Sequence, residues 1–248
     1  MKSRLAAIIQ ARTGSTRCPG KVLRPLGGLS MIEHIIKRIQ RVQVFDSIVL
    51  AVPDAPSEDI LVSLARRMGI DSVKGPEEDV LQRFIIAGDS VGAEHILRVC
   101  SDSPLIDLEL MNSLALRHLE NKADLTVPED DIPRGTGTEM VNFAVLKQIA
   151  GKATLKPYRE HVTAYFYDHT DQYAIVRVSP PAYLKGKDFR LTVDTDKDFL
   201  LMDKIYSLFF NSSQSVVDLK QVIPYLEAHP EIANINSDVI QKDWRLEK

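Results

Sequence analysis

Short apolar runs alternate with stretches of helical periodicity along the first half of the chain. Five runs have the length of a strand: Leu5–Gln10, Ser47–Val52, Asp71–Lys74, His95–Cys100 and Ala123–Pro128. Continuous apolar runs such as the first are typical of strands that are buried on both faces of a sheet. From the second strand onward, the spacing of about 25–30 residues between strands leaves room for a helix after each one, and the stretch between the first two strands is longer still.

Polar residues mark where the intervening helices begin. Ser30 and Glu33 form a predicted capping box in front of an apolar stripe, and Ser57 is predicted to cap the next helix. Pro76 stands where a proline is tolerated at a helix start, and Asp107 begins a further helix. This alternation predicts an α/β fold with a mostly parallel, doubly wound sheet, in which ligands bind beyond the carboxyl ends of the strands.

The alternation stops near Asp130. A flexible polar loop over residues 133–138 precedes two helical stretches that reach about His169. Strands are predicted at Tyr173–Ser179 and Phe189–Val193, and two helices close the chain. Because no repeat, low-complexity tract or linker separates two parts, we predict a single domain over residues 1–248.

Composition removes several classes of protein. The 248 residues include 31 Lys and Arg against 34 Asp and Glu, and this net charge of −3 argues against a nucleic-acid partner. Two cysteines do not make a disulfide framework. The apolar run before Arg12 is too short for a signal peptide, and no other run could span a bilayer. We therefore expect a cytoplasmic protein without a membrane partner.

The loop after the first strand carries the first candidate chemistry. Residues 11–28 are rich in Gly, Ser, Thr and Arg, and Arg12, Arg17 and Lys21 place three cations within ten residues. Glycines allow successive backbone N–H groups to cradle phosphate oxygens. The Gly14–Gly20 spacing and Val22 exclude a Walker A loop, and no Gly-x-Gly-x-x-Gly is present. A triphosphate site and a plain basic surface loop are the two readings.

Two acids at strand ends are candidate metal ligands. Asp102 follows the fourth strand and Asp194 ends the predicted strand Phe189–Val193. Mg²⁺ takes one or two carboxylates together with phosphate oxygens, and acids from two strand ends can converge on one ion. An Asp before Ser-Pro is also a common turn or helix cap. Asp196 and Asp198 look like acids in the first turn of the following helix.

The order of these motifs resembles a known family. Residues 9–21, 79–83, 101–107, 159–163 and 190–195 resemble, in order, the motifs of the CMP-sugar synthetases, which include the ketodeoxyoctulosonate and acylneuraminate cytidylyltransferases. The similarity is strongest to the branch of the spore coat polysaccharide biosynthesis F protein. The resemblance implies a nucleotide-diphospho-sugar transferase fold (GT-A-like, Rossmann-related), with three α/β/α layers. It also implies transfer of CMP from CTP to an acidic or modified sugar with release of pyrophosphate, in surface polysaccharide synthesis.

The resemblance also assigns roles to residues of this chain. Catalysis would fall to Arg17, Lys21 and Asp102, and Mg²⁺ would be held by Asp102 and Asp194. The nucleotide would be bound by Ala11, Arg12, Gly14, Ser15, Arg17, Lys21, Asp79, Arg83 and Ser101, and the sugar acceptor by Arg134, Glu139, Arg159 and Glu160. The nucleotide core would cover residues 1–128, the acceptor and homodimer region 129–185, and a C-terminal strand and helices 186–248.

Some positions depart from the family pattern, and other functions are open. Cys18 stands where Leu is usual, Gly137 where the branch has an acid, and Asp196 where Pro is common. The loop around Gly137 would face the acceptor. His161 could act as a base or only pack on its helix. Alternatives to cytidylyl transfer are a glycosyltransferase of the same fold, which usually has an Asp-x-Asp motif, and a nucleotide-binding protein without activity.

Overall fold

The computed structural model describes residues 3–241, which form one seven-stranded sheet with helices on both faces. The strands are β1 Leu5–Gln10, β2 Pro25–Leu26, β3 Leu29–Ser30, β4 Ser47–Pro53, β5 Asp71–Gly75, β6 His95–Cys100, β7 Leu125–Pro128, β8 Glu139–Asn142 and β9 Ile175–Val178. The helices are α1 Met31–Gln40, α2 Asp59–Arg67, α3 Val80–Ser90, α4 Leu108–Asn121, α5 Phe143–Lys152, α6 Lys156–Glu160, α7 Ala164–Asp168, α8 Asp196–Phe209, α9 Leu219–Ala228 and α10 Pro230–Ala233.

The sheet has the strand order β5-β4-β1-β6-β8-β7-β9, and β2 with β3 forms a separate hairpin. Only β8 runs antiparallel to its neighbours, β6 and β7. The prediction of a mostly parallel α/β sheet is confirmed. Because β8 is the reversed strand, its first residue, Glu139, lies opposite Arg98 near the carboxyl ends of the parallel strands.

Side chains of β1 divide the core into two apolar layers. Leu5, Ala7 and Ile9 pack with α1, α2, α4, α8 and α9, whereas Ala6 and Ile8 pack with α3, α5 and α7. Alternation along a strand sends successive side chains to opposite faces of a sheet. The strand patterns predicted from the sequence therefore produce the three α/β/α layers. Within residues 3–241, no helix combines the length and the apolar character that crossing a membrane requires.

Helix starts were predicted with mixed success. The capping box of Ser30 and Glu33 is confirmed, and Asp107 caps α4 through the Leu110 N–H. Ser57 is not a cap, because Pro56 starts a 3-10 turn that runs into α2. The predicted helix start at Pro76 is wrong as well. Asp79 supplies the cap of α3 by accepting from the Gln82 N–H at 2.8 Å.

Three further predictions in the second half are corrected. The second of the two helical stretches expected up to His169 is broken between α6 and α7, where Val162 is buried and the Thr163 hydroxyl donates to Glu139. Strand β8 lies in a stretch where only loop and helix were expected. Phe189–Val193 is not a strand: the Leu191 and Val193 N–H groups donate to the carbonyls of Arg134 and Asp102, both at 2.7 Å. Residues 242–248 of the predicted C-terminal region lie outside the described residues.

Candidate active site

Two adjoining cavities open at the carboxyl edge of the sheet. The larger cavity, of about 690 Å³, is bordered by the loop after β1, by the residues following β5 and by the end of β6. The smaller cavity, of about 370 Å³, lies between the end of β6, residues 134–139 and the segment 192–194. Arg98, Cys100, Asp102 and Asp194 border both. The two cavities together have room for two ligands that meet beside Asp102.

A buried carboxylate, that of Glu58, fixes the loop after β1 in place through hydrogen bonds from Thr13. Glu58 is only 3% exposed and accepts the Thr13 N–H at 3.0 Å and the Thr13 hydroxyl at 2.7 Å. The Gly20 N–H returns to the Thr13 carbonyl, and Gly20 takes a left-handed conformation with φ +65°. A side chain would strain that turn, whereas Gly14 has no positive φ and open space beside its Cα. The loop is thus anchored at Thr13 and turned at Gly20.

This anchoring leaves several donors of the loop unused. Within the described part of the chain, the backbone N–H groups of Gly14, Thr16 and Arg17 have no hydrogen-bond partner. Ser15, Thr16 and Arg17 border the larger cavity. Successive free N–H groups in a turning loop form an anion-binding concavity. The loop therefore has the geometry of a phosphate site.

Cations of the loop converge on Asp194. Its Oδ1 lies 3.1 Å from the Arg17 guanidinium and 3.4 Å from Lys21 Nζ, and its Oδ2 accepts from Arg190 at 2.8 Å. Lys21 also donates to the Val193 carbonyl. Two of these cations border the larger cavity and could exchange Asp194 for the oxygens of a phosphate.

The segment that carries Asp194 is fixed by a fully buried acid. Asp198 accepts the Asp194 N–H at 2.9 Å and Arg190 Nε at 2.8 Å. Asn236 Nδ2 donates at 2.8 Å to Oδ1, the same Asp198 oxygen that accepts from Arg190 Nε. Burial alone raises the pKa of Asp198, but the hydrogen bonds from Arg190, Asp194 and Asn236 outweigh it, and the pKa lies below its ordinary value. Asp198 is therefore an ionised anchor.

Asp102 is tied to the same segment through its backbone. Its carbonyl accepts the Val193 N–H, while its carboxylate accepts only the Ser103 hydroxyl, at 2.9 Å, among residues 3–241. The carboxylate thus keeps most of its lone pairs available beside both cavities. Over the same residues, no group of three or more His, Cys, Asp or Glu side chains is arranged to hold a metal ion.

Glu139 forms a buried network at the edge of the smaller cavity. It accepts from Arg98 at 2.8 Å, from the Thr163 hydroxyl at 2.7 Å and from the Tyr167 hydroxyl. Burial raises the pKa of Glu139, but the Arg98 charge and the two hydroxyl donors more than compensate, so the pKa lies below its ordinary value. Burial also raises the pKa of the Cys100 thiol to about 11. Glu139 is therefore a charged partner for Arg98.

The smaller cavity has a second wall of loop backbone. Residue 135 is a glycine with φ +91°, and a Cβ there would come within 2.6 Å of the Leu191 carbonyl oxygen. The loop therefore packs directly on the segment before Asp194. Arg134, which borders this cavity, has no side-chain partner within the described chain.

Comparison with known proteins identifies a family for this chain. A family model described as Cytidylyltransferase matches residues 6–233. The chain belongs to the cytidylyltransferase family. It is 35% identical to an uncharacterized protein of Methanocaldococcus jannaschii over 98% of both chains. It is 32% identical to the spore coat polysaccharide biosynthesis protein SpsF of Bacillus subtilis, over 91% of this chain and 95% of that protein.

A solved structure supports the fold in particular. The cytidylyltransferase from Leptospira borgpetersenii serovar Hardjo-bovis superimposes with a TM-score of 0.86 and 23% identity, covering 97% of this chain and all of that one (100%). The predicted family, the nucleotide-diphospho-sugar transferase fold and the enzyme class, a nucleotidyltransferase that acts as a cytidylyltransferase, are confirmed.

The structure of this cytidylyltransferase gathers most of the predicted site residues. Those that border the larger cavity are Ala11, Arg12, Ser15, Arg17, Lys21, Arg83, Ser101, Asp102, Glu160 and Asp194. Arg134 and Glu139 border the smaller cavity, as do Asp102 and Asp194. Gly14, Asp79 and Arg159 border neither. Asp79 caps α3 and pairs with Arg159 Nε at 2.8 Å, so these two side chains hold α3 to α6.

Sequence reasoning missed several cavity residues. Gln10 and Arg98 were not singled out, although each is a polar residue on the face of an otherwise apolar strand that packs toward α3. Their position is the signal that could have identified them. Glu58 and Arg190 were also missed as supports of the loop and of Asp194, because their partners lie far away in sequence.

Unpartnered polar atoms concentrate in the larger cavity. Among residues 3–241, three buried side-chain atoms have no hydrogen-bond partner: Gln10 Oε1, Arg83 Nε and Arg98 Nε. All three residues border this cavity. Burial withdraws such groups from water, and native structures seldom leave them unpaired. A bound ligand is the simplest source of their missing partners.

Proposed function

We propose that this cytidylyltransferase transfers CMP from CTP to a hydroxyl of an acidic or modified sugar, releasing pyrophosphate. The observation that carries the proposal is the loop after β1, whose free N–H groups, Arg17 and Lys21 face a cavity that adjoins a second one at Asp102. The larger cavity would take CTP and the smaller one the sugar. The similarity to a spore coat polysaccharide protein supports a role in the synthesis of a surface glycan.

The reaction would be an in-line displacement at the α-phosphorus of CTP. The sugar hydroxyl oxygen forms a bond to the α-phosphorus, the bond to the bridging oxygen of the β-phosphate breaks, and the hydroxyl proton is released to solvent. The loop N–H groups, Arg17 and Lys21 would hold the β- and γ-phosphates and neutralise the charge that develops on pyrophosphate. Arg17 and Lys21 would exchange their contacts with Asp194 for phosphate oxygens.

Mg²⁺ fits this site through Asp102. Mg²⁺ is usually held by one or two carboxylates together with phosphates and water, and the Asp102 carboxylate has only one hydrogen-bond partner in the described chain. Asp194 could join as a second ligand once Arg17 and Lys21 turn to the phosphates. When bound, the ion would neutralise charge on the phosphate oxygens. Asp102 and Asp194 would hold it at the junction of the two cavities.

The same proposal divides the chain by task. Residues 1–128 would form the nucleotide core, 129–185 would contribute the acceptor wall with Arg134, and residues 186 onward would bring Asp194. Arg159 forms an ion pair with Asp79, so Arg134 is the better candidate for binding the acceptor sugar. Homodimer formation through residues 129–185, which the resemblance implies, and the cytoplasmic location expected from the sequence are part of the proposal.

Pyrophosphate release tests the function directly. The protein would be incubated with Mg²⁺, with each of CTP, UTP, ATP and GTP, and with a panel of ulosonic acids and sugar phosphates. Pyrophosphate would be measured as phosphate after addition of pyrophosphatase. We expect release with CTP and at least one acidic sugar. Turnover of a nucleotide-sugar without pyrophosphate release would instead indicate a glycosyltransferase and contradict the proposal.

A further inference from the structure

Arg98 lies where the two cavities meet. It is the fourth residue of β6, on the same face of the sheet as Ile96, which packs in the α3 layer. Its side chain borders both the larger and the smaller cavity, as Asp102 does. No role in catalysis or binding follows for Arg98 from the sequence motifs. Its position alone puts a permanent cation at the point where two substrates would come together.

One side of the Arg98 guanidinium is fixed by the protein. Nη1 donates to Glu139 Oε2 at 2.8 Å and lies 3.5 Å from the Thr163 hydroxyl. Glu139 is the cross-strand neighbour of Arg98, and its other oxygen accepts from Tyr167. The side chains of Arg98 and Glu139 are 18% and 13% exposed. The orientation of the guanidinium is therefore set before any ligand arrives.

The other side of the guanidinium has no partner. Nε is buried without a hydrogen bond, and no group within residues 3–241 accepts from Nη2. These two nitrogens form the edge through which arginine binds a carboxylate or phosphate with two parallel hydrogen bonds. A buried donor left unpaired destabilises a fold, and a buried ion pair alone adds little stability over an apolar pair. Folding therefore does not explain why this edge is kept open.

We propose that Arg98 binds an oxyanion through its Nε–Nη2 edge at the junction of the two cavities. The inference rests on the proposed function, because the oxyanion would be the α-phosphate of CTP or a carboxylate or phosphate of the sugar acceptor. In the first case Arg98 neutralises charge at the phosphorus under attack. In the second it orients the acceptor so that its hydroxyl faces that phosphorus.

A paired substitution removes the site without leaving an unpaired charge. Arg98→Gln together with Glu139→Gln keeps side chains of similar length and removes both charges, and thermal unfolding reports whether the variant is folded. The surface pair Arg117 and Glu120, 2.9 Å apart, provides a matched control as Arg117→Gln with Glu120→Gln. Arg98→Lys is the second variant, since lysine keeps the charge beside Glu139 and loses the bidentate edge.

Calorimetric titrations with cytidine, CMP and inorganic phosphate distinguish the two sources. If the α-phosphate is the ligand, the paired variant binds CMP about 10- to 100-fold more weakly and cytidine unchanged, with a smaller loss for Arg98→Lys. If the acceptor supplies the oxyanion, CMP binding is unchanged. The CMP-saturated Arg98 variants then bind one inorganic phosphate ion fewer than the CMP-saturated wild-type protein, because the loop after β1 can take phosphate in all of them. The control pair behaves as wild type in both cases.

Two results would overturn the proposal. One is unchanged binding of both CMP and phosphate in a folded Arg98 variant. The other is an equal loss for cytidine and CMP, which would show that Arg98 only maintains the shape of the cavity. If the wild-type protein binds no cytidine nucleotide, the proposed function fails. The number of phosphate ions that the nucleotide-free wild-type protein binds, compared with the Arg98 variants, then decides alone whether Arg98 is an oxyanion site.

Discussion

The two ends of β6 bury polar side chains in different ways. At its amino end, His95 Nδ1 is 3.0 Å from His118 Nε2, and His118 Nδ1 is 2.9 Å from the Thr126 hydroxyl. His118 is fully buried, and both of its ring nitrogens have partners. Toward the carboxyl end, the Nε of Arg98 has none. The same strand therefore carries two kinds of polar network. We call the His118 network closed, because both ring nitrogens of His118 have partners, and the Arg98 network open, because Arg98 Nε has none.

The presence or absence of a hydrogen-bond partner distinguishes buried polar groups that stabilise the fold from those that are available to bind a ligand. A buried polar atom is costly unless it is paired, so a fold that needs it for stability also supplies its partner. The chain does so for His118 and for Asp198. It does not do so for Arg98 Nε, Arg83 Nε and Gln10 Oε1, whose residues all border the larger cavity. Substitutions should consequently affect stability in the closed networks and ligand binding in the open one.

The largest expected effect is on catalysis at the open end. Lys21→Ala and Asp102→Asn should each lower pyrophosphate release about 10²- to 10³-fold, because each removes a charge that acts on the triphosphate or its Mg²⁺. Folding should be retained, since Asp194 keeps Arg17 and Arg190 when Lys21 is lost. Steady-state kinetics and thermal unfolding measure the two properties, with exposed Lys152→Ala as the control. Full activity of either variant would refute the assigned roles.

Substitution in the closed network around Asp198, near the same cavity, should lower the stability of the protein. Asp198→Ala removes the buried partner of Arg190 and four further hydrogen bonds, and should lower the free energy of unfolding by about 3 kcal/mol. Urea unfolding measures this change. Asp196→Ala is the matched control, because this acid at the start of the same helix is 76% exposed and should change stability by less than about 1 kcal/mol. Equal effects of the two substitutions would contradict the distinction.

Near neutral pH, the smallest expected effect is a pH dependence of stability that arises at the amino end of β6. Burial lowers the pKa of His118 to about 3, and the neighbouring His95 adds to this shift. An unfolded histidine titrates near about 6.5, so below that pH the unfolded state binds a proton that the folded state does not. The free energy of unfolding should therefore fall as pH drops from about 6.5 toward 3, by up to about 1.4 kcal/mol per pH unit for this one proton.

The variant His118→Gln isolates this contribution. Glutamine can hydrogen-bond to Thr126 but does not titrate. The slope of unfolding free energy against pH should therefore become shallower by up to about 1.4 kcal/mol per pH unit, the contribution of one proton. Urea unfolding at several pH values between 4 and 7 gives the slope for the variant and the wild type. An unchanged slope would show that the buried His118 is not responsible for the pH dependence.

The local sequence pattern was enough to predict the site residues that directly follow a strand. The apolar runs of β1 and β6 and the polar residues that follow them predicted where Lys21 and Asp102 lie, because parallel strands end at one edge of a sheet. The helix break at residues 161–163 and the reversed strand β8 were not predictable in this way. Both depend on Glu139 reaching across to Arg98 and Thr163, which lie 41 and 24 residues away.

The sequence by itself determined the order of strands and helices, the loop of cations and the family to which they point, since periodicity and motif spacing are local properties. Only the tertiary structure decided which charges are paired. Asp194 faces Arg17, Lys21 and Arg190, Asp79 is committed to Arg159, and the Nε edge of Arg98 stays open. The physical reason is that pairing and burial depend on distances in space between residues far apart in the chain, and these set which groups bind each other and which are left for a ligand.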